Sequence, residues 1–380
     1  MSLLGKLLDW TFGTTSAPTV VRDASQRLAN QRAWESVSGP AKRKTAPPAA
    51  RLMKVAQRVK ETNNTLSLYL EPEDGQPVSF RAGQFLTCCF DIDGREQRRA
   101  YSISSVPGRE PLRITVKRIE DGRVSSFVHE HLKVGDSIRT FGPSGDFCLP
   151  EGMRRAVFIA GGSGITPIRA MLECLHQQQP EIPVTLLYAS RSSTHIIFRR
   201  ELDALAKGWP SLTIQHVLSR PSARWEGARG RLTPERVRSV VEEAAGDTYF
   251  FLCGPQGLSE MAESALLEAG VPRAHILTEH FLSGSRPSER LPEEPQSIYF
   301  ERAAQEVVAQ PRQTLLEAAL EAGVELPYSC QVGGCGHCRV RIVSGVVVTN
   351  EPNCLSPEEQ AQGYRLACQS YACSETRVDA

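Results

Sequence analysis

Cys330, Cys335 and Cys338 stand at C-x4-C-x2-C spacing in the run Pro327-Tyr328-Ser329-Cys330-Gln331-Val332-Gly333-Gly334-Cys335-Gly336-His337-Cys338, and Cys368 follows after 29 intervening residues. Four thiolates at this spacing suit a 2Fe–2S cluster. Gly333, Gly334 and Gly336 let the backbone take the dihedrals and the close approach that wrapping a cluster demands. A cysteine from a distant strand then closes the cage. Three other readings fit less well. C-x4-C-x2-C is not a zinc-ribbon spacing. A chain of 380 residues with eleven cysteines is no small disulfide scaffold. A Rieske centre needs two histidines on one iron; Cys335-Gly336-His337 supplies one half, but Pro357 stands where the second histidine belongs.

A one-electron centre needs an electron source, and two further groups of residues suit one. The first is Arg99-Ala100-Tyr101-Ser102, with Thr115-Val116-Lys117-Arg118 and Gly122-Arg123-Val124-Ser125 after it. A cation meets a phosphate, a ring meets a flat heterocycle, and a hydroxyl donates a hydrogen bond. The small residues after Gly122 let helix-start amides face a phosphate. The second group is Gly161-Gly162-Ser163-Gly164-Ile165-Thr166-Pro167, a glycine turn between an apolar strand and a helix, which points bare amides at a pyrophosphate.

Three scaffolds must position these motifs. Residues 51–150 alternate over Thr65–Leu70, Leu112–Lys117 and Ser137–Phe141, between turns at Asp74-Gly75, Asp93-Gly94, Asp121-Gly122 and Gly142-Pro143; this predicts a small antiparallel β-barrel. Residues 151–281 alternate strands (Arg155–Ala160, Val184–Ala189, Thr213–Leu218, Tyr249–Cys253) with helices at Ile168–Gln177, around Ile197–Leu205 and from Gly254-Pro255-Gln256-Gly257 through Leu267. That is a doubly wound α/β pattern. A Ser-, Pro- and charge-rich linker spans 282–296. The cluster domain fills 297–380, where Thr314-Leu315-Leu316-Glu317 reads as a capping box, with Leu316, Leu320 and Val324 facing the core and Gly323 closing the helix. Residues 1–50 form an extension: a short amphipathic stripe of Leu3, Leu4, Leu7, Leu8 and Phe12, then a basic, proline-rich stretch.

Composition narrows the function. Apolar content of 41%, charged content of 23% and a net charge of +1 are ordinary for globular chains and give no case for nucleic-acid binding. No run is long and apolar enough for a transmembrane helix, and the start lacks a signal-peptide pattern. A cytoplasmic protein is expected, at most peripheral at the inner membrane surface. The eight histidines form no histidine boxes, and His129-Glu130-His131 reads as a helix-end cluster. The substrate chemistry therefore lies on another protein. Two electrons would enter as hydride and leave singly through the cluster.

The flavin motif, the Gly161–Pro167 loop and Cys253-Gly254-Pro255 resemble the ferredoxin–NADP reductase superfamily, and the C-terminal run resembles plant-type ferredoxin with its β-grasp fold. The fused order is similar to three-domain reductases of the phthalate dioxygenase and phenylacetyl-CoA epoxidase type, over residues 51–380. The resemblance implies that Arg99 holds a flavin phosphate, Tyr101 lies against the isoalloxazine and Ser102 bonds its hydride-accepting nitrogen. Val116, Lys117, Gly122, Val124 and Ser125 would complete the flavin site, with Ser125 at the pyrophosphate. Gly161, Gly162, Gly164, Thr166 and Pro167 would take the nicotinamide dinucleotide. Cys253, with Gly254 and Pro255, would lie beside its ring, and Phe281 would flank the flavin. FAD is expected, with FMN the alternative, because Gly122–Ser125 offers a place for the second phosphate. Ser190-Arg191 at a strand end, with Arg199 on the next helix, favours NADPH over NADH. The implied acceptor is a terminal oxygenase, a hydroxylase or, given the N-terminal stripe, a membrane fatty-acyl desaturase. An iron–sulfur redox sensor without turnover is the competing reading.

Overall fold

The computed structural model describes residues 50–120, 122–242, 247–281, 286–287, 290–328, 330–351 and 353–380. The N-terminal stripe lies outside them. Among the described residues no helix is long and apolar enough to cross a membrane.

The alternating segments of the first domain form β1 (Arg51–Thr62), β2 (Thr65–Pro72), β3 (Phe85–Ile92), β4 (Arg95–Ser102), β5 (Leu112–Lys117) and β6 (Ser137–Ser144). They pair in the order β4-β3-β6-β1-β2-β5, and a bridge between Ile103 and Ile114 joins the two edges into a closed antiparallel barrel. Val55, Leu68, Leu70, Ile103, Ile114 and Val116 fill it. Helix α1 (Arg123–Glu130) adds Val124 and Val128 to the same core.

The second domain runs β7 (Arg155–Gly161), α2 (Ile165–Gln178), β8 (Val184–Ser190), α3 (Arg199–Gly208), β9 (Leu212–Leu218), β10 (Ala228–Arg229), α4 (Pro234–Glu242), β11 (Thr248–Gly254), α5 (Gln256–Glu268) and β12 (Ile276–His280). Its sheet is wholly parallel, in the order β10-β9-β8-β7-β11-β12. Strand β7 feeds two cores: Ala156, Phe158 and Ala160 enter one, Val157 and Ile159 the other. Both faces of the sheet are thus covered, as parallel sheets require. The strand order reverses between β7 and β11, which opens a crevice at their carboxyl ends.

Two helix starts differ from the sequence reading. Helix α2 begins at Ile165, directly after a 3-10 turn over Gly162–Gly164. Pro167 is tolerated in this first turn because its missing N–H would have had no intrahelical partner. Helix α3 begins only at Arg199, because Phe198 is left-handed (φ 59°). A bulky residue in that region is held there by its surroundings: Phe198 is buried, with the Arg113 guanidinium 4.6 Å above its ring. Arg113 on β5 belongs to an ion network that joins barrel to sheet. It donates to Glu201 at 2.8 and 3.1 Å, Arg169 on α2 donates to the same carboxylate at 2.9 Å, and both arginines donate to the Ser104 carbonyl. Burial alone would raise the pKa of Glu201, but the two guanidinium groups hold it low.

The C-terminal domain comprises β13 (Arg286–Pro287), β14 (Gln296–Phe300), β15 (Gln305–Ala309), α6 (Leu315–Glu321), β16 (Arg339–Ser344), β17 (Val347–Glu351), α7 (Pro357–Ala361), β18 (Tyr364–Leu366), β19 (Ser370–Ala372) and β20 (Thr376–Asp379). A five-stranded sheet, β15-β14-β20-β16-β18, grasps α6, and β13-β17-β19 forms a small second sheet. The capping box of Thr314 and Glu317 forms as expected. Leu316 and Val324 are buried, but Leu320 is 36% exposed. The seven-residue helix turns Leu315, Leu316, Ala318 and Ala319 inward, which leaves Leu320 on the outer side.

Candidate functional site

Two sites meet at the β3–β4 hairpin. In its register Leu86 pairs with Tyr101, Thr87 with Ala100 and Phe85 with Ser102. Arg99 donates to the Arg98 carbonyl at 2.6 Å. Its charge lies close to Tyr101, whose phenol is nonetheless pushed up by burial. Ser102 is buried, and its Oγ donates to Glu279 Oε2 at 3.4 Å across the domain boundary. Glu279 stands opposite Cys253 in the β11–β12 register. Burial pushes the Glu279 carboxyl up to about 8, against a restraining bond from Ser102. Burial, then Glu279, raises the Cys253 thiol. Ser102, Cys253 and Glu279 therefore gather at the carboxyl ends of β11 and β12. Glu279 had no separate signal in the sequence: a lone glutamate at a strand end acquires meaning only through Ser102, 177 residues earlier.

The glycines of the crevice are there for closeness. A Cβ on Gly164 would lie 1.9 Å from the Cys253 carbonyl oxygen, and one on Gly254 would lie 2.9 Å from the Gly161 nitrogen. The loop after β7 thus presses onto the end of β11, with Pro255 against Gly161. Tyr188 OH donates to the Gly162 carbonyl at 2.9 Å, and Thr166 Oγ1 to that of Ser163 at 2.9 Å. Lys117, at the end of β5, brings its Nζ to 3.2 Å from the place of a Gly162 Cβ. Burial and then Arg191 lower its pKa. Burial, Arg191 and Lys117 likewise lower His195. Lys117 beside the glycine turn, in the field of Arg191, fits a phosphate-bearing ligand.

Other expected residues are more constrained. The Val116 and Val124 side chains lie in the barrel core, so only their backbone can meet a ligand. Ser125 Oγ donates to the Gly122 carbonyl at 3.1 Å and accepts from Ile119 N at 3.2 Å, which leaves its hydroxyl tied within the turn. Arg199 pairs with Asp203 and stacks near Trp225, Ser190 is buried beside Tyr188, and Phe281 is 36% exposed just beyond β12. His129 Nε2 lies 3.0 Å from the Val116 carbonyl and Glu130 pairs with Arg118, so this helix end is structural.

The cysteine loop forms the second site. Gln331, Gly333 and Gly336 have φ of 55°, 81° and 71°. Sulfurs collect backbone donors: Val332 N to Cys330 Sγ at 3.4 Å and Cys330 N to Cys335 Sγ at 3.5 Å. The Cys330 thiol lies in the field of Cys335, and the Cys338 thiol in that of Cys368. Among the described residues no three His, Cys, Asp or Glu side chains converge on a single-ion site. Four cysteines around an N–H-lined loop fit a two-iron cluster. The loop sits on the hairpin that carries Tyr101: Thr87 Oγ1 donates to the Cys330 carbonyl at 3.3 Å, Arg98 bonds the Gln331 side chain, and Gly334 faces the His280 carbonyl.

Three family descriptions match in the same order: "Oxidoreductase FAD-binding domain" over residues 52–148, "Oxidoreductase NAD-binding domain" over 158–264 and "2Fe-2S iron-sulfur cluster binding domain" over 298–373. A component of the 1,2-phenylacetyl-CoA epoxidase from Escherichia coli K12 is 32% identical, across 83% of this chain and 93% of that protein. The chain belongs to the ferredoxin–NADP reductase superfamily. It is the three-domain form with a 2Fe–2S domain, an NAD(P)H-dependent oxidoreductase of the ferredoxin type, and the matched FAD-binding domain agrees with the expectation of FAD over FMN. The ferredoxin reductase component of 3-ketosteroid-9-alpha-monooxygenase from Rhodococcus rhodochrous is also 32% identical, over 84% of this chain and 93% of that one. The structure of phthalate dioxygenase reductase shares the superfamily fold at a TM-score of 0.62 and 24% identity, covering 87% of this chain and 97% of that chain.

Proposed function

We propose that this superfamily member takes hydride from NADPH and delivers single electrons to a separate terminal oxygenase or hydroxylase. The carrying observation is the β3–β4 hairpin, which presents Ser102 to Glu279 while Thr87 and Arg98 hold the cysteine loop. When bound, the flavin and cluster supply the conversion from two-electron to one-electron transfer. The chain's own part is placement. Arg99, Tyr101 and Ser102, with the turn at Gly122, hold the flavin. The Gly161–Gly164 loop holds the dinucleotide phosphates, and Ser102, Cys253 and Glu279 line the point of hydride passage. Cys330, Cys335, Cys338 and Cys368 would ligate the cluster. The similar proteins are named for an epoxidase and a monooxygenase, whereas the desaturase reading leans on Leu3–Phe12, outside the described residues. Anaerobic stopped-flow mixing with NADPH tests the reading: a reductase bleaches in two phases, first flavin and then cluster, whereas a sensor that does not react would overturn it.

The NADPH preference rests on Arg191, directly after β8, whose charge is felt by Lys117 and His195. Arg191→Ala is expected to lower the ratio of kcat/KM for NADPH over NADH by roughly 10- to 100-fold, the size of one charge-assisted hydrogen bond. An unchanged ratio would remove Arg191 from the site.

A further inference from the structure

Gln369 follows the last cysteine of the cluster set, and its side chain is fixed on all sides. Oε1 accepts from Asn350 Nδ2 at 3.1 Å, and Asn350 also donates to Tyr371 OH at 3.2 Å. Nε2 lies 2.8 Å from the Cys368 carbonyl, 3.3 Å from the Gln331 carbonyl and 3.6 Å from Cys368 Sγ. Two carbonyl oxygens can only accept, so the atom facing them is the nitrogen, and the sulfur beside them meets N–H. The side chain is 7% exposed. It packs under Gly333, where a Cβ would come within 2.9 Å of Gln369 Cγ. Swinging the amide away would also break its hold on Gln331, the left-handed residue that reaches Arg98 on the flavin barrel.

We infer that Gln369 is a positioning residue that raises the reduction potential of the cluster: its side-chain N–H stabilises the charge that reduction places on the Cys368 thiolate, and Asn350 fixes the amide in that orientation. Donors to cluster sulfurs favour the more negative, reduced state. The inference rests on reading Cys330, Cys335, Cys338 and Cys368 as the ligands. Two N–H hydrogens serve three acceptors here, so the effect is that of one shared bond.

The test is an electron-paramagnetic redox titration of the full-length holoprotein, parent against Gln369→Met and Asn350→Ala. Gln369→Met keeps the length and the stem beneath Gly333 and removes the donor. Its cluster potential is expected to fall, with the reduced-to-oxidised ratio at fixed poise dropping about tenfold, or about 59 mV for a one-electron couple. Asn350→Ala, which touches no ligand, should shift the potential the same way by less. The flavin potential should stay put in both. An unmoved cluster potential in Gln369→Met at full iron content overturns the inference. If that variant retains no iron, an unmoved potential in Asn350→Ala overturns it instead. A parent protein that binds no iron overturns the ligand reading as well.

Discussion

Serine at Cys330, Cys335, Cys338 or Cys368 is expected to abolish the 2Fe–2S absorption and electron-paramagnetic signal, one position at a time, while Cys354→Ser and Cys373→Ser keep both. Cys354 is the demanding control. Its backbone N–H donates to the Gly333 carbonyl at 3.0 Å, and its sulfur would lie 3.7 Å from a Cβ on Gly336, so it stands at the loop itself. Yet the C-x4-C-x2-C spacing with the distant Cys368 leaves Cys354 out of the ligand set. Replacing a residue that merely supports a ligand costs roughly 10- to 100-fold in metal affinity, so loss of a ligand should exceed that range. Iron content, the visible spectrum and NADPH-driven cytochrome c reduction all report it. Flavin reduction by NADPH should survive, because the Ser102–Glu279 contact is built from the first two domains alone. Stoichiometric zinc without iron in the parent protein would refute the assignment.

How much of this was legible beforehand depended on the range of the contacts. The cluster loop is local: cysteine spacing and three glycines state its geometry within nine residues, Cys330 to Cys338. The barrel and the parallel sheet were legible through alternation and glycine turns. Leu320 was misread because a capping box fixes where a helix starts but not which way a seven-residue helix faces. The start of α3 was misread because Phe198 is held left-handed under Arg113, a residue from another domain. The Arg113–Glu201–Arg169 network gave no signal for the same reason, and neither did Glu279. Each of these residues has an ordinary neighbourhood in sequence and acquires its role from a partner 32 to 177 residues away.

Ser102→Ala is expected to slow reduction of the bound flavin by NADPH by roughly 10²-fold, because removal of one preorganised donor at a reacting centre typically has that effect. The hydroxyl is fixed: Ser102 is buried at the end of β4 and its Oγ reaches Glu279 at 3.4 Å. Glu279→Gln keeps the size and an acceptor for Ser102, so a smaller loss is expected, and it isolates what the carboxyl itself contributes. That variant also has a readout independent of turnover. Burial moves the Glu279 pKa from 4.5 to about 8, so the folded protein keeps a proton that the unfolded chain releases across that window. The stability Glu279 contributes is therefore complete below 4.5 and is lost as pH rises toward 8. The Glu279→Gln variant carries no titrating group there, so its melting temperature relative to the parent should climb steadily from the acidic to the basic end of the window. A flat difference would mean that Glu279 titrates as an ordinary carboxylate, and flavin reduction at the parent rate in Ser102→Ala would remove the hydroxyl from the hydride path.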